Sequence, residues 1–405
     1  MVVPNGWTIK PIEQIMRIRK ERINPQALIN TRCIELEHIE PISGRLLGWI
    51  ESNNQRSLKA VFTAGDVLFG KLRPYLRKYC YPSFDGICST EFWVLTAFDN
   101  SVDNSYIYYI VQTNRFLETA NSTTGTKMPR ADWSLMKEVS FSIPLSLTEQ
   151  RDIAAVLSDA DAYITALEKL IAKKRNLKQG AMQVLLTGKR RLPGFDGEWD
   201  TLNLASNSTL KARIGWQGLT TAEYLDEGYS YLITGTDFSN GKIAWSSCHY
   251  VDKSRYNQDT NIQVCNGDVL ITKDGTIGKV AIVNGLTKKA TLNSGVYVVR
   301  PKNDAYDRTY IYYVLLSQIF ADFLAKLAAG STINHLYQKD FVNFEFEAPA
   351  AIAEQTAIAT VLSDMDAEID TLTAKIEKAR RIKQGMMGEL LTGRIRLIEE
   401  DTENG

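Results

Sequence analysis

An α+β fold built twice, each copy a globule followed by a long helix, is what this 405-residue sequence predicts. Three observations carry the prediction. The stretch KQGAMQVLLTG at 178–188 returns as KQGMMGELLTG at 383–393. Around it, about 44 positions starting at Glu149 and Glu354 align without a gap, and roughly 25 are identical. Upstream of each repeated segment lie short β-rich runs bounded by Gly, Asn, Asp and Pro.

The repeat extends upstream in weaker form. Pro144 aligns with Pro349, YIYYI (106–110) with YIYYV (310–314), GDVL (65–68) with GDVL (267–270), and Trp7 with Trp199. HIEPISGRL (38–46) resembles TDFSNGKI (236–243). The offset between partners grows along the unit, so the upstream parts differ by small insertions while the repeated ends keep a fixed length.

The ends read as helices. Ile153, Leu157, Ala160, Ile164, Leu167 and Ile171 are spaced by fours and threes, and Ile358, Leu362, Met365, Ile369, Leu372 and Ile376 repeat that register. Such spacing makes a coiled-coil seam. Ser146 and Glu149 suggest a capping box for the first helix; the second has Ala351 in place of the serine. Gly188 and Gly393 suit the position just past a helix end. Gly180 and Gly385 fall inside the helices, where glycine costs stability, and so suggest a close helix approach or a kink. A helix of about 40 residues runs about 60 Å. The runs AVFTAGDVLFGKL, TEFWVLTAF, NIQVCNGDVLITK, GKVAIV and SGVYVVRP read as strands, and DNSYIYYIVQTNRFLETA and DRTYIYYVLLSQIFADFLAKLAA as helices packed on them.

The expected division is a first globule over 1–148, helix one over 149–189, a second globule over 190–353 with a linker at 190–199, helix two over 354–397 and a disordered acidic tail over 398–405. A pairable seam repeated in one chain predicts two antiparallel coiled-coil helices and a pseudo-twofold relation between the copies.

Composition excludes some classes. Lys+Arg and Asp+Glu are equal at 47, so any nucleic-acid contact must come from a local positive face. The five cysteines form no CxxC pair, which suits reduced thiols in a cytosol rather than a disulfide framework or zinc site. The start MVVPNGWTIK has no apolar core of a signal peptide, and no apolar run reaches membrane-spanning length. A cytoplasmic location is expected.

The duplicated EQRDIAAVLSDAD…KQGAMQVLLTG and EQTAIATVLSDMD…KQGMMGELLTG resemble the two conserved helical regions of specificity subunits of type I restriction–modification systems. LEHIEPISG and GDVLITKDGTIGKVAIV resemble segments of that family's target recognition domains. The resemblance implies that each globule reads one half of a bipartite, asymmetric site on double-stranded DNA. It implies that the helices set the unread gap and dock two methyltransferase subunits. S-adenosylmethionine is then held by those subunits, and ATP and Mg by two motor–nuclease subunits in a restriction complex. No cofactor, no metal and no catalysis belong to this chain. A methylation-only system would use the same chain, and a coiled-coil scaffold with protein-binding heads is the reading from another class.

Base reading needs Arg, Lys, Asn or Gln on loops, with phosphate contacts fixing register. In the first globule GKLRPYLRKY offers Lys71, Arg73, Tyr75, Arg77 and Lys78, and TTGTKMPR offers Lys127 and Arg130. In the second, ITKDGTIGK offers Lys273 and Lys279, GSTINHLYQK offers Asn334, His335 and Lys339, and KARIGWQG offers Arg213 and Gln217. Solvated edge-strand charges explain the same residues without DNA. Asp66 and Asp268 each precede a lysine by five residues, but no second acid completes a nuclease centre. GTIGK lacks the P-loop spacing, and no Pro-Pro occurs for a methyltransferase motif.

Overall fold

The computed structural model describes residues 3–122, 127–215, 218–329 and 335–397. It divides into two compact units, Met1–Lys169 with Ala374–Gly405, and Leu170–Thr373. Each unit holds one globule and one half of each long helix. The helices span Leu147–Leu185 and Ile352–Leu390, starting two residues before the repeated Glu-Gln and stopping before the glycine caps.

In the first unit a ribbon pairs Trp7–Pro11 with Ser140–Pro144, and Trp7 sits opposite Pro144. A four-stranded sheet runs in the order Met16–Ile18, Phe92–Ala97, Val67–Gly70, Tyr79–Cys80. A five-stranded sheet runs Arg22–Ile23, Lys59–Phe62, Gly86–Ser89, Arg32–Ile34, Ile50–Glu51. The central strand Val67–Gly70 is buried at every position, which is why it reads as a continuous apolar run. The expected helix after the sheet breaks in two, Asn104–Ile110 and Asn114–Ala120. Thr113 causes the break, since its side chain accepts from the Phe116 N–H and starts a new helix.

The second unit repeats this plan. Trp199–Asn203 pairs with Glu345–Pro349, with Trp199 opposite Pro349. The sheet Ser208–Lys211, Val296–Pro301, Val269–Thr272, Val280–Ile282 matches the four-stranded one and gains Lys242–Ile243 and Phe238–Ser239 at its edge. Four further strands run His249–Val251, Ser230–Ile233, Ala290–Leu292, Gln263–Val264. The helix again breaks, into Arg308–Leu316 and Gln318–Ala328, with Ser317 capping the second piece. The two pieces are bent by 54°, and among the described residues no single helix is long and apolar enough to cross a membrane.

The helices join their globules through one device used twice. Gln150 accepts from the Asp103 N–H and donates to the Pro144 carbonyl; Gln355 does the same with Asp307 and Pro349. Both glutamines are buried. A buried amide must find partners for each of its polar atoms, so this residue fixes the helix on the ribbon.

Inside each unit the two half-helices run antiparallel. In the first, Asp161 pairs with Lys383 and Glu168 with Arg380. In the second, Lys178 pairs with Asp366 and Lys174 with Glu368. The seam needs correction at its ends. Ile153 and Leu157 are buried in the first globule's main cluster beside Tyr106, Ile110, Leu390 and Leu391, and Ile358 and Leu362 in the corresponding cluster of the second. The heptad spacing there serves a globule core as well as a helix pair. Leu167, Ile171, Ile369 and Ile376 are buried, while Ile164 and Leu372 are half-buried.

Three further expectations change. Gly180 and Gly385 face open space, with nothing within 4 Å of where a Cβ would stand, so they mark no close approach among the described residues. The Glu149 N–H donates to the Ser146 hydroxyl, but the Glu149 carboxylate binds Trp7 and Arg396 in place of closing a capping box. The segment 190–199 is anchored: Arg191 grips the Glu354 carboxylate and the Gly197 carbonyl, and Trp199 is already in the ribbon.

Candidate nucleic-acid interface

A β-hairpin tip and one neighbouring loop make the candidate face in each globule. In the first, Val67–Gly70 and Tyr79–Cys80 are the hairpin strands, and the Gly70 N–H donates to the Lys78 carbonyl at 2.8 Å. In the second, Val269–Thr272 pairs with Val280–Ile282, and the Thr272 N–H donates to the Lys279 carbonyl at 2.9 Å. The residue after each first strand is clamped twice. The Lys71 N–H donates to Glu91 and its carbonyl accepts from Ala131. The Lys273 N–H donates to Gly295 and its carbonyl accepts from Leu336. The structure therefore brings together the two stretches singled out in each globule: 71–78 with 127–130, and 273–279 with 335–339. Leu72 also bridges Arg130, and the Arg73 N–H donates to the Pro129 carbonyl.

The side chains divide by what they touch. Arg73, Arg77 and Tyr75 are exposed around the short turn Pro74–Leu76, and Lys127 is exposed on the neighbouring loop. Lys71 is half-buried. Arg130 is exposed but forks onto Glu91, with contacts of 3.0 Å from Nε and from Nη2. Those hydrogen bonds hold the Glu91 carboxyl below the usual carboxylate range. In the second globule Lys279 is exposed, and Lys273 lies with its ammonium 5.4 Å from the Tyr297 ring. His335 pairs with Asp274 and stands 4.5 Å from the Tyr337 ring, over which Lys339 also lies at 5.4 Å. Gln217 and Asn334, with Trp216, lie outside the described residues.

Two expected contacts are corrected. Arg213 is 1 % exposed; its guanidinium donates to the Leu292 carbonyl, Thr291 and Gln258. Burial lowers its pKa, and it serves as a strut inside the second globule. Lys78 is half-buried and donates to the Leu36 carbonyl at 2.6 Å, so its charge ties the hairpin to the chain behind it. The sequence reading also missed the carboxylates Glu91 and Asp274, which neutralise part of each face. Asp274 follows Lys273 in the sequence itself; what the structure adds is its pairing with His335, and the strand contact and Arg130 fork that bring Glu91 beside Lys71.

The two Asp-Val-Leu aspartates are structural. Asp66 is buried and takes both ends of Arg19 at 3.0 and 3.2 Å; Asp268 is buried and takes Arg300 at 2.9 and 2.6 Å. Each also accepts a main-chain N–H, from Thr63 and from Cys265, so both carboxylates serve buried ion pairs that brace the sheet. No three His, Cys, Asp or Glu gather as metal ligands among the described residues.

Comparison with known proteins adds the following. The family model of the type I restriction modification DNA specificity domain matches residues 4–179 and 219–381. The specificity subunit of the type I restriction enzyme MjaVIII of Methanocaldococcus jannaschii is 24% identical over 349 residues, covering 82% of this chain and 77% of that protein. The putative MjaX specificity subunit of the same organism is 23% identical, covering 98% of this chain and 95% of its own. Among solved structures, the S subunit of a type I restriction–modification system from M. genitalium superposes with a TM-score of 0.61 at 14% identity, covering 96% of this chain and 98% of that one. A chain from a study of assembly and conformational transition of the type I system gives 0.61 at 20% identity, covering 98% of this chain and 100% of its own. At such identities the superpositions speak for the fold.

Proposed function

Since this chain belongs to the type I restriction modification DNA specificity family, we propose that each globule reads one half of a split DNA sequence through its hairpin tip and neighbouring loop. The observation that carries the reading is the shared frame with unshared side chains. The clamp on Lys71 and the clamp on Lys273 use the same main-chain hydrogen bonds, yet the residues they present differ. A constant frame with a variable edge is what two unlike half-sites require.

The long helices carry the other half of the proposal. They keep a fixed length in both copies, and they are the parts we assign to setting the unread gap and to docking two methyltransferase subunits. S-adenosylmethionine binds to those partners, which methylate adenine; motor–nuclease subunits add cleavage. The chain itself recognises and assembles, without catalysis.

The test is binding by the complex of this chain with its methyltransferase subunits to duplex DNA, titrated with salt. Tight, salt-sensitive binding that collapses when either half-site is scrambled is expected. Affinity indifferent to sequence would overturn the proposal.

A further inference from the structure

The two hairpin tips share an unusual backbone and fill it differently. In the first globule the third residue after the hairpin's Gly70 is Arg73, at φ 50° and ψ 61°, and the last residue before Lys78 is Arg77, at φ 51° and ψ 52°. Both are left-handed, a region where any side chain beyond Gly, Asn or Asp is disfavoured. In the second globule the same two places, the third residue after Thr272 and the last before Lys279, are Gly275 at φ 67° and Gly278 at φ 77°. The sister tip thus meets the same positive φ with the residue that adopts it freely. The first tip keeps arginine there against that preference, twice.

The arginine heads are also the ones left available. Around them Lys78 is spent on the Leu36 carbonyl and Arg130 forks onto Glu91. Neither Arg73 nor Arg77 places its guanidinium in a hydrogen bond or ion pair among the described residues. Their backbones, in contrast, are fixed: the Arg73 N–H donates to Pro129 at 2.8 Å, the Arg77 N–H to Pro74 at 2.9 Å, and the Arg77 carbonyl accepts from Ile42 at 3.0 Å. Pro74 stiffens the turn between them. Two unpaired guanidinium forks therefore stand on an immobilised base, flanking Tyr75, which is 55% exposed.

We infer that Arg73 and Arg77 are the base-reading pair of the first globule, each aimed at a guanine edge in the major groove. The chemistry follows from the fork, whose paired N–H groups match the O6 and N7 acceptors of guanine. Strain held at an exposed, unpaired residue is where function outweighs local stability. At Gly275 and Gly278 the second globule has no side chain, so its half-site is read from other positions. At Gly278 a Cβ would also press on Leu324, whereas at Gly275 the space is open.

The inference rests on the proposed DNA reading, and its test separates the two. The complex with methyltransferase subunits is prepared with Arg73→Gly, Arg77→Gly, and each arginine changed to Lys. Affinity is measured for duplex carrying the methylated target, for the same duplex with single G·C pairs of either half-site replaced by A·T, and for a scrambled duplex. Each glycine variant is expected to melt at or above the wild-type temperature, while losing about 10- to 100-fold in affinity for the target and little for the scrambled duplex. The lysine variants keep the charge and lose most of the discrimination. Replacing the guanine that an arginine reads removes the difference between that variant and wild type. Equal losses on target and scrambled DNA, which mark a phosphate contact, would overturn the inference. So would unchanged target affinity, or a collapse in melting temperature that marks a structural role. A wild-type complex with no sequence preference would sink the functional reading first, and the inference with it.

Discussion

Arg396 and Glu149 meet fork to fork, with Nε to Oε1 and Nη2 to Oε2 both at 2.8 Å. In the other unit Arg191 and Glu354 repeat the contact at 2.5 and 2.6 Å. Each carboxylate stands in the first turn of a long helix, and each arginine follows a glycine cap, Gly393 at φ 71° or Gly188 at φ 66°. The caps themselves pack on tryptophan, Gly393 on Trp7 and Gly188 on Trp199. Each globule is thereby locked to the end of one helix and the start of the other. Arg396→Ala would leave the fully buried Glu149 carboxylate, among the described residues, with the Trp7 indole N–H as its remaining side-chain donor. Loss of one partner from a buried pair is strongly destabilising, and because Arg396 is partly exposed we expect about 2 kcal/mol. Thermal or urea unfolding checks this, and an unchanged midpoint would show the lock to be decorative.

The lysine of the repeated KQG phrase acts across the helix pair in the same way twice. Lys383 binds Asp161 at 2.6 Å over the Tyr109 ring, and Lys178 binds Asp366 at 2.6 Å over the Tyr313 ring. Tyr109 and Tyr313 also donate to those aspartates, at 3.2 and 2.8 Å. A double-mutant cycle of Lys383→Met with Asp161→Asn should give a coupling of about 1 kcal/mol. Additive effects would mean that the phrase recurs for some reason other than helix register.

Arg213 separates a strut from a contact. Arg213→Met should lower the melting temperature of the protein, because the Leu292 carbonyl and Thr291 lose a buried donor. Its DNA binding, measured below that temperature, should keep the wild-type salt slope.

Lys127 and Lys279 behave oppositely. Both are exposed, and neither side chain forms a hydrogen bond or ion pair among the described residues. Changing each to Ala should leave unfolding unaltered and reduce the slope of log K against log salt by about 1. A slope that does not move would take these lysines off the DNA.

Cysteine reactivity tests the packing. Burial pushes the Cys33 and Cys248 thiols up to about 12, and burial raises Cys80 and Cys88 as well. Cys265 is exposed. Brief alkylation at pH 8 should mark Cys265 alone in the folded protein and all five cysteines in denaturant, as counted by mass. Rapid labelling of Cys88 would contradict the buried sheet around it.

Much of this architecture is legible in the residues. Gapless repetition gave the long helices away, and the paired Trp7–Pro144 and Trp199–Pro349 registers confirm matches that spanned most of a globule in sequence. What stayed hidden are facts of tertiary geometry. Ile153 and Ile358 look like seam residues because a helix facing a globule and a helix facing another helix bury the same stripe. Arg213 reads as a surface cation because no local signal reveals that Leu292 will offer it a carbonyl. The left-handed backbone of Arg73 and Arg77 has no sequence signature either; it emerges only where the glycines of the sister tip can be laid beside it.

The most direct measurement is a genome-wide map of methylated adenines in cells with and without this gene. Two short, unlike sequences separated by a constant run of unspecified bases should be methylated only when the gene is present. A map that does not change on its removal, or one showing a single uninterrupted motif, would contradict the assignment of one half-site to each globule.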